Sequence, residues 1–175
     1  MLDILKLQHL FDRDLEIVYD CEGRLVKEFS KIIPKVSSVP LQSAFTNDLE
    51  QAKTHMERLG RIFAFHNSLP VAEPDHALKS IFQEGEKLIN SIGPSALLDS
   101  AVLIFGSQIL HHKIALYGSL WSLARALGLN DAIEPLEQAM NEERAAAETL
   151  MQIGLQSVMP DAVNVGNPRH RWEVI

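Results

Sequence analysis

The chain has little cysteine and no excess of positive charge. Cys21 is its single cysteine, so no disulfide can form within the chain, which suits a reducing cytosol. Its 16 Lys and Arg residues are outnumbered by 23 Asp and Glu, for a net charge of −7, and no basic stripe offsets this acidity. We therefore expect no nucleic-acid partner.

Long hydrophobic runs and targeting segments are also missing. No cationic stretch followed by an apolar segment opens the sequence, so no signal peptide is predicted. The most apolar segment, 96–109, carries Asp99 and Ser107 and ends at the polar 111–113 cluster, which makes it too short and too polar to span a membrane. Phosphate-binding loops, nucleophile elbows and zinc-finger spacings are absent. The expectation is a cytoplasmic protein without a membrane partner.

Strand signals are lacking too, because no segment alternates between polar and apolar residues and no Asn-Gly or Asp-Gly turn occurs. All strong periodicities are helical. They predict an all-α, ferritin-like four-helix bundle with one additional short helix in the crossover between its second and third long helices. Domain boundaries are predicted at 1–160 for the bundle and 161–175 for an irregular tail. Predicted helices cover about 2–33, 40–66, 75–92, 95–127 and 135–158.

The helix predicted over 95–127 is apolar around much of its circumference. A helix of this kind is buried on several sides, so it is either the central helix of the bundle or part of an interface between copies. The second alternative predicts a homodimer or larger oligomer. The residues that make this helix so apolar are Val102, Leu103, Ile104, Phe105, Ile109 and Leu110.

Charged residues interrupt several stripes that otherwise look buried. An unpaired charge inside a helix bundle costs several kcal/mol unless it is paired, protonated or bound to a metal. Charges from several helices facing one interior therefore predict a site there. The alternative is that these charges lie at stripe margins and pair at the surface. The charged residues concerned are Glu22, Glu50, Lys53, Lys113 and Glu143.

Two-metal bundles take a Glu from each of two helices and a Glu-x-x-His from each of the other two. Residues at this spacing lie one turn apart on one helix face, so both reach the same centre. Glu22 and Glu143 fit the single-Glu positions, whereas Glu50-Gln51-Ala52-Lys53 has the right spacing but ends in a lysine. A lysine coordinates only when deprotonated, so Lys53 is a poor ligand.

Several segments together resemble the ferritin-like YciE/YciF stress-protein family, over about residues 8–155. The resemblance implies a rubrerythrin-related helical bundle that is usually homodimeric and linked to bacterial stress responses. The segments are VYDCE at 18–22, DLEQA at 48–52, ERL at 57–59, IALYGSL at 114–120, ALG at 126–128 and NEERA at 141–145.

The resemblance also implies a metal-ligand pattern, of which this chain keeps only part. Glu22, Glu50 and Glu143 match glutamates of the family, and Lys53 stands where His or Glu is usual. The family's Glu-His-Tyr-Glu appears as Leu110-His111-His112-Lys113, and Ala146 offers no ligand. His111 thus matches a family histidine, but adjacent helical residues diverge by about 100°, so His111 and His112 do not share one metal.

Two functions of different class follow. In the first, the chain is a stress-response protein whose ancestral two-metal site is largely lost and which acts through self-association or a protein partner. It then has no cofactor, and Lys53 and Lys113 neutralise the glutamates. In the second, it is a di-iron or di-manganese oxidoreductase with a reduced ligand set. Cys21 lies beside a core stripe and is interpreted as a small hydrophobe rather than a catalytic thiol.

Overall fold

The computed structural model describes residues 6–166, in which the regular secondary structure is helical and no strand occurs. A single 3-10 turn, Ile33–Lys35, follows the first helix, and a π-helical turn, Gly154–Val158, joins the last two. The predicted all-α bundle with a short helix in the crossover is confirmed. The helices are α1 Leu7–Ile32, α2 Val39–Phe65, α3 His76–Ser91, α4 Ala96–Leu127, α5 Asn130–Ile153 and α6 Met159–Gly166.

The helix ends follow local capping chemistry. The side chains of Ser38, Asp75 and Ser95 accept hydrogen bonds from backbone N–H groups in the first turns of α2, α3 and α4, which satisfies donors that have no partner within the helix. Gly128 ends α4 with φ of 70°, a left-handed conformation that glycine adopts without steric cost.

The four long helices α1, α2, α4 and α5 form the bundle. Helix α1 packs beside α2 and α4, and α5 packs beside the same two helices. Ser37 and Ser38, after the end of α1, donate to the Asp99 carboxylate at the start of α4, with backbone N···O distances of 2.9 and 2.8 Å. Helices α1 and α4 therefore run antiparallel, and the crossover through α3 returns the chain to the end where α2 began.

The interior is divided into two apolar cores. The core at the α2 N-terminal end includes Leu25, Phe45 and Leu110, and the core at the opposite end includes Phe11 and Leu136. On each long helix one buried charged residue lies between the residues of the two cores. The fold thus places a polar layer across the middle of the bundle.

Helix α4 is the central helix of the fold. It packs against α1, α3, α5 and α6, which accounts for its apolar circumference within a single chain. The absence of a side chain at Gly85 lets the Phe105 ring lie directly against α3. Only Leu97 and Ile104 remain as exposed large hydrophobic residues on α4, so an interface between copies stays a prediction.

Two boundaries differ from the expectation. Helix α5 begins at Asn130 and accommodates Pro135 in its second turn, where the missing N–H removes only one bond, close to the helix start. The tail predicted to be irregular from residue 161 is helical as far as Gly166, because Pro160 falls in the first turn of α6, where proline is tolerated. Residues 167–175 of that tail lie outside the described residues. No helix among the described residues is long and apolar enough to cross a membrane.

Candidate metal centre

One charged or titratable side chain from each long helix meets in the middle of the bundle. Glu22 on α1, His55 on α2, Lys113 on α4 and Glu143 on α5 are all buried. Each lies one or two turns from apolar core residues on both sides, because each continues the buried face of its helix. We call these four side chains the polar layer.

The carboxylates and cations of the polar layer are in direct contact. Lys113 Nζ lies 3.0 Å from Glu22 Oε2 and 2.5 Å from Glu143 Oε1. His55 Nδ1 lies 3.0 Å from Glu22 Oε1 and 3.3 Å from Glu143 Oε1. The Tyr117 hydroxyl donates to Glu22 Oε1 at 2.6 Å. Two carboxylates therefore face an ammonium and an imidazole in the same buried volume.

The outer nitrogen of His55 also faces a carboxylate. His55 Nε2 lies 2.7 Å from Glu142 Oε2, and Arg58 holds the same carboxylate with two bonds of 2.6 and 3.1 Å. Because a carboxylate accepts but does not donate, both ring nitrogens carry a proton when these contacts are made. The geometry thus selects the imidazolium form of His55.

The titration of these groups follows from their contacts. Burial acts to raise the pKa of Glu22, but Lys113, His55 and Tyr117 outweigh it and lower that pKa to about 2. Burial acts to lower the pKa of His55, and hydrogen bonds to Glu143 and Glu22 raise it to about 9. The pKa of Lys113 is also raised, since both glutamates outweigh its burial. Glu22, His55 and Lys113 are therefore charged at neutral pH.

Two further groups beside the polar layer stay protonated. Burial, with the charge of Glu22, raises the pKa of the Tyr117 hydroxyl well above its usual value. The same two causes raise the pKa of the Cys21 thiol. Cys21 packs in the apolar core as a neutral side chain.

The residues present do not fit a two-metal centre. Glu22, His55 and Glu143 bring ligand atoms within 4.8 Å of one another, but a two-metal bundle needs further carboxylate and histidine ligands. Neither α2 nor α5 carries a complete Glu-x-x-His, because Ala52 stands three residues before His55 and Ala146 three residues after Glu143, and the member of the polar layer on α4 is Lys113. The Lys113 ammonium contacts both remaining carboxylates, so its charge repels a divalent ion at that point.

Two of the predicted site residues lie outside the interior. The side chains of Glu50 and Lys53 are 63% and 50% exposed and pair with each other at 2.7 Å on the outer surface of α2. Their predicted role as metal candidate and counter-ion in the interior is wrong. The buried face of α2 runs through Asp48, Ala52 and His55, which turns positions 50 and 53 toward solvent.

His111 does not belong to the polar layer either. It is exposed on α4, and its Nδ1 lies 2.8 Å from the carbonyl oxygen of Ser107, one turn earlier, so this candidate ligand lies away from the bundle interior. The neighbouring His112 contacts the Asp75 carboxylate at 2.6 Å and ties α4 to the start of α3. Glu22, Glu143 and Lys113 are the predicted site residues that the structure does bring together.

His55 was missed by sequence reasoning, as was Asp48. Both lie on one stripe with Phe45, Ala52 and Leu59, at helical spacings of three, four and three residues from Phe45 to His55 and four more to Leu59. That continuous spacing is the signal that could have found them. The apolar residues Leu49 and Met56 lie on an adjacent stripe, which made a different face of α2 look like the buried one.

Asp48 lines a cavity of about 120 Å³ between α2 and α5. It is 6% exposed, and no described residue forms a hydrogen bond or ion pair with its carboxylate. Burial raises the pKa of Asp48 to about 7, although Lys113 opposes this rise. The neutral and charged forms of Asp48 are thus about equally populated near pH 7.

The fold and the polar layer define a ferritin-like helical bundle with a buried ion-pair network in its middle. The chain belongs to the family described as a domain of unknown function (DUF892), which matches residues 6–162.

Known proteins agree with this assignment. Protein YciF of Escherichia coli (strain K12) is 24% identical over 164 residues, which cover 93% of this chain and 99% of that protein. The solved structure of the E. coli stress protein YciF has a TM-score of 0.83 at 24% identity and covers 89% of this chain and 98% of that chain. YcfI from Rhodopseudomonas palustris, described as a candidate structural protein, has a TM-score of 0.83 at 28% identity and covers 85% and 95%.

Replacement of Lys113 by Met tests whether the polar layer depends on its ammonium. We expect Lys113→Met to lower the free energy of unfolding by about 3–5 kcal/mol at neutral pH, because it leaves Glu22 and Glu143 short of one positive charge. Acidification then reduces part of the loss, because Glu22 without its ammonium partner takes up a proton and no longer carries an unpaired charge. Urea unfolding of wild type and variant across pH measures both effects.

The matched control is Lys53→Met on the exposed face of α2, which should change stability by less than about 1 kcal/mol. Equal effects at the two positions would contradict the assignment.

The pH dependence of stability tests Asp48. Its pKa rises from 3.8 to about 7 on folding, so the folded protein holds this proton more tightly, and its contribution to stability is lost as pH rises through 7. We expect Asp48→Asn to be more stable than wild type by roughly 2 kcal/mol at about pH 8, with a smaller difference at about pH 5. Urea midpoints at the two pH values measure this, with Glu50→Gln as the exposed control. An Asp48→Asn protein less stable than wild type at the higher pH would refute it.

Proposed function

We propose that this chain is a non-catalytic, ferritin-like stress-response protein that acts through self-association or a protein partner. In this proposal the polar layer stabilises the bundle in place of an ancestral two-metal site, and no metal cofactor is needed. The names of its relatives support a role of this kind, since one is called a stress protein and another is described as a candidate structural protein.

The position of Lys113 carries the proposal. A buried ammonium in contact with two carboxylates supplies the positive charge that metal ions supply in two-metal bundles. His55 adds a second cation while both of its ring nitrogens face carboxylates. With its charges already balanced, the interior gains little electrostatically from a divalent ion, so a bound metal has to compete with these internal pairs.

A metal-dependent oxidoreductase with a reduced ligand set is the second candidate. It is favoured by the Glu22, His55 and Glu143 ligand atoms that lie within 4.8 Å of one another. Glu143 Oε2 is also buried without a hydrogen-bond partner among the described residues. Iron or manganese binding there requires His55 to lose a proton and the Lys113 ammonium to move away from both glutamates. The metal content of the protein separates the two candidates.

Self-association would use the outer face of α4 and α5. Leu97 and Ile104 are seven residues apart on α4, and Met151 and Leu155 project from the end of α5 and the π turn. All four are exposed large hydrophobic residues. Leu103 lies close to Gly154 where the two helices meet, so the neighbouring exposed residues share this end of the bundle. We call these four residues the α4–α5 patch and propose a second copy of the chain as its partner.

Metal analysis tests the loss of the two-metal site. After expression in medium rich in iron and manganese, we expect purified wild type to hold far less than one equivalent of either metal, because Lys113 occupies the ligand position. A triple variant that restores the ligand pattern, Ala52→Glu with Lys113→Glu and Ala146→His, should be less stable without metal and should gain stability with Fe²⁺ or Mn²⁺.

Two measurements decide this prediction, elemental analysis by mass spectrometry and melting temperature with and without metal. Lys53→Glu is the control for Lys113→Glu, because it makes the charge change of that substitution on the exposed face of α2 and should not respond to metal. A stoichiometric metal in wild type that survives gel filtration would favour the oxidoreductase instead.

Light scattering tests self-association through the α4–α5 patch. We expect wild type at micromolar concentration to have at least twice the 19.6 kDa mass of the monomer. Ile104→Glu should shift the population toward the monomer, because it places a charge in the apolar interface. The control Leu88→Glu changes an exposed hydrophobic residue on α3 and should leave the mass unchanged. A monomeric wild type would contradict self-association.

A further inference from the structure

A groove runs between α1 and α3, and no residue of the polar layer lines it. The backbone N–H of Asp75, at the start of α3, donates to Asp20 Oδ2 at 3.0 Å, and Lys35 Nζ, beyond the end of α1, donates to Asn90 Oδ1 at 3.4 Å. These two contacts show that α1 and α3 run parallel from residues 20 and 75 to residues 35 and 90. Between the contacts the helices enclose a cavity of about 270 Å³.

The floor of the groove is apolar and its rim is mostly cationic. Ile32, Phe82 and Ile89 form the floor, and the last two are also buried in the adjacent core. In a chain with a net charge of −7, a rim on which cations outnumber acids is a local exception. The charged rim residues are Arg24, Lys31, Lys35 and Lys79, against Glu28 and Glu86.

Two of these cations have bonding capacity left. Lys31 is paired with Glu28 at 2.7 Å. Lys79, in contrast, has no side-chain partner among the described residues. Arg24 makes a single 3.3 Å contact, to Asp20, although a guanidinium offers five N–H donors.

Arg24 and Lys79 also lie opposite each other. Arg24 follows Asp20 by one helical turn, and Lys79 follows Asp75 by one helical turn. Because Asp20 and Asp75 are joined by a hydrogen bond and the helices run parallel, the next turn of each helix lies at the same level. The two cations therefore flank one end of the groove, and the apolar floor extends from them toward Ile89.

We propose that this groove binds a small amphipathic anion. Its carboxylate or phosphate head lies between Arg24 and Lys79, and its aliphatic chain lies along Ile32, Phe82 and Ile89. Arginine suits such a head because its planar donors match two oxygens at once. The aliphatic chain adds binding energy in proportion to the apolar area that it covers. A mostly apolar cleft with a few polar groups at one end is typical of small-molecule sites.

Calorimetric titration with sodium octanoate tests the site on the full-length protein. We expect octanoate to bind. Octanol and acetate should each bind at least about tenfold more weakly, because octanol lacks the charged head and acetate lacks the aliphatic chain. The double variant Arg24→Gln, Lys79→Gln should weaken octanoate binding by a similar factor. Lys87→Gln is the matched control, because Lys87 lies on the exposed side of α3, pairs with Glu84 and should leave binding unchanged.

Several outcomes would overturn the proposal. Octanoate affinity that is the same in wild type and double variant would show that the two cations do not hold the head. Equal affinity for octanol and octanoate would show a purely apolar site. Binding to vesicles of anionic phospholipid without binding of free octanoate would assign the groove to a lipid surface. If the double variant has an altered melting temperature, the single variant Lys79→Gln, which breaks no described contact, decides the same question.

Discussion

The contact of the Lys113 ammonium with Glu22 and Glu143 is the interaction on which the rest of the structure depends. Each long helix brings one member of the polar layer to the same height between two apolar cores. If one helix slid by a turn, a charged side chain would enter an apolar core and its partners would be left unpaired, at a cost of several kcal/mol. The polar layer therefore fixes the register of four helices that apolar packing alone would specify less strictly.

The same interaction changes the solution condition on which the stability of the bundle depends. In a two-metal bundle the charge of the carboxylates is balanced by metal ions, so stability follows metal supply. Here the balance comes from protons bound to Lys113 and His55, so stability follows pH. The contribution of Glu22, with its pKa lowered to about 2, is present above its unfolded value near 4.5 and is lost as pH falls through 2. The contribution of His55, with its pKa raised to about 9, is present below 6.5 and is lost as pH rises through 9. Both are fully present between about pH 4.5 and 6.5.

Because the buried charges of the interior are paired with one another, the interactions that we propose are at the surface of the bundle. The α4–α5 patch lies on α4, the end of α5 and the π turn, whereas the groove is lined by residues of α1, the turn after it and α3. The first offers apolar side chains without cations, and the second combines an apolar floor with Arg24 and Lys79. Their different chemistry suits a second protein copy in one case and a small anion in the other.

The sequence by itself determined the helical class, the crossover helix and the presence of charged residues in the interior. Helical periodicity and the prolines and glycines between segments fix the helices locally. Glu22, Lys113 and Glu143 are recognisable as buried charges because each interrupts a regularly spaced apolar stripe. It also indicated that Lys113 and Ala146 are poor metal ligands, because a charged ammonium and a methyl group do not coordinate a metal whatever the packing.

Only the tertiary structure decided which face of α2 points inward. The pattern of polar and apolar residues in α2 allows two orientations of the helix about its axis. In one, Glu50 and Lys53 face the core, and in the other, Asp48 and His55 do. Packing of Phe45, Ala52 and Leu59 against the other helices selects the second phase. In this orientation His55 is buried and the Glu50–Lys53 pair lies at the surface. The orientation depends on contacts between residues far apart in the chain, and the local sequence of α2 does not contain that information.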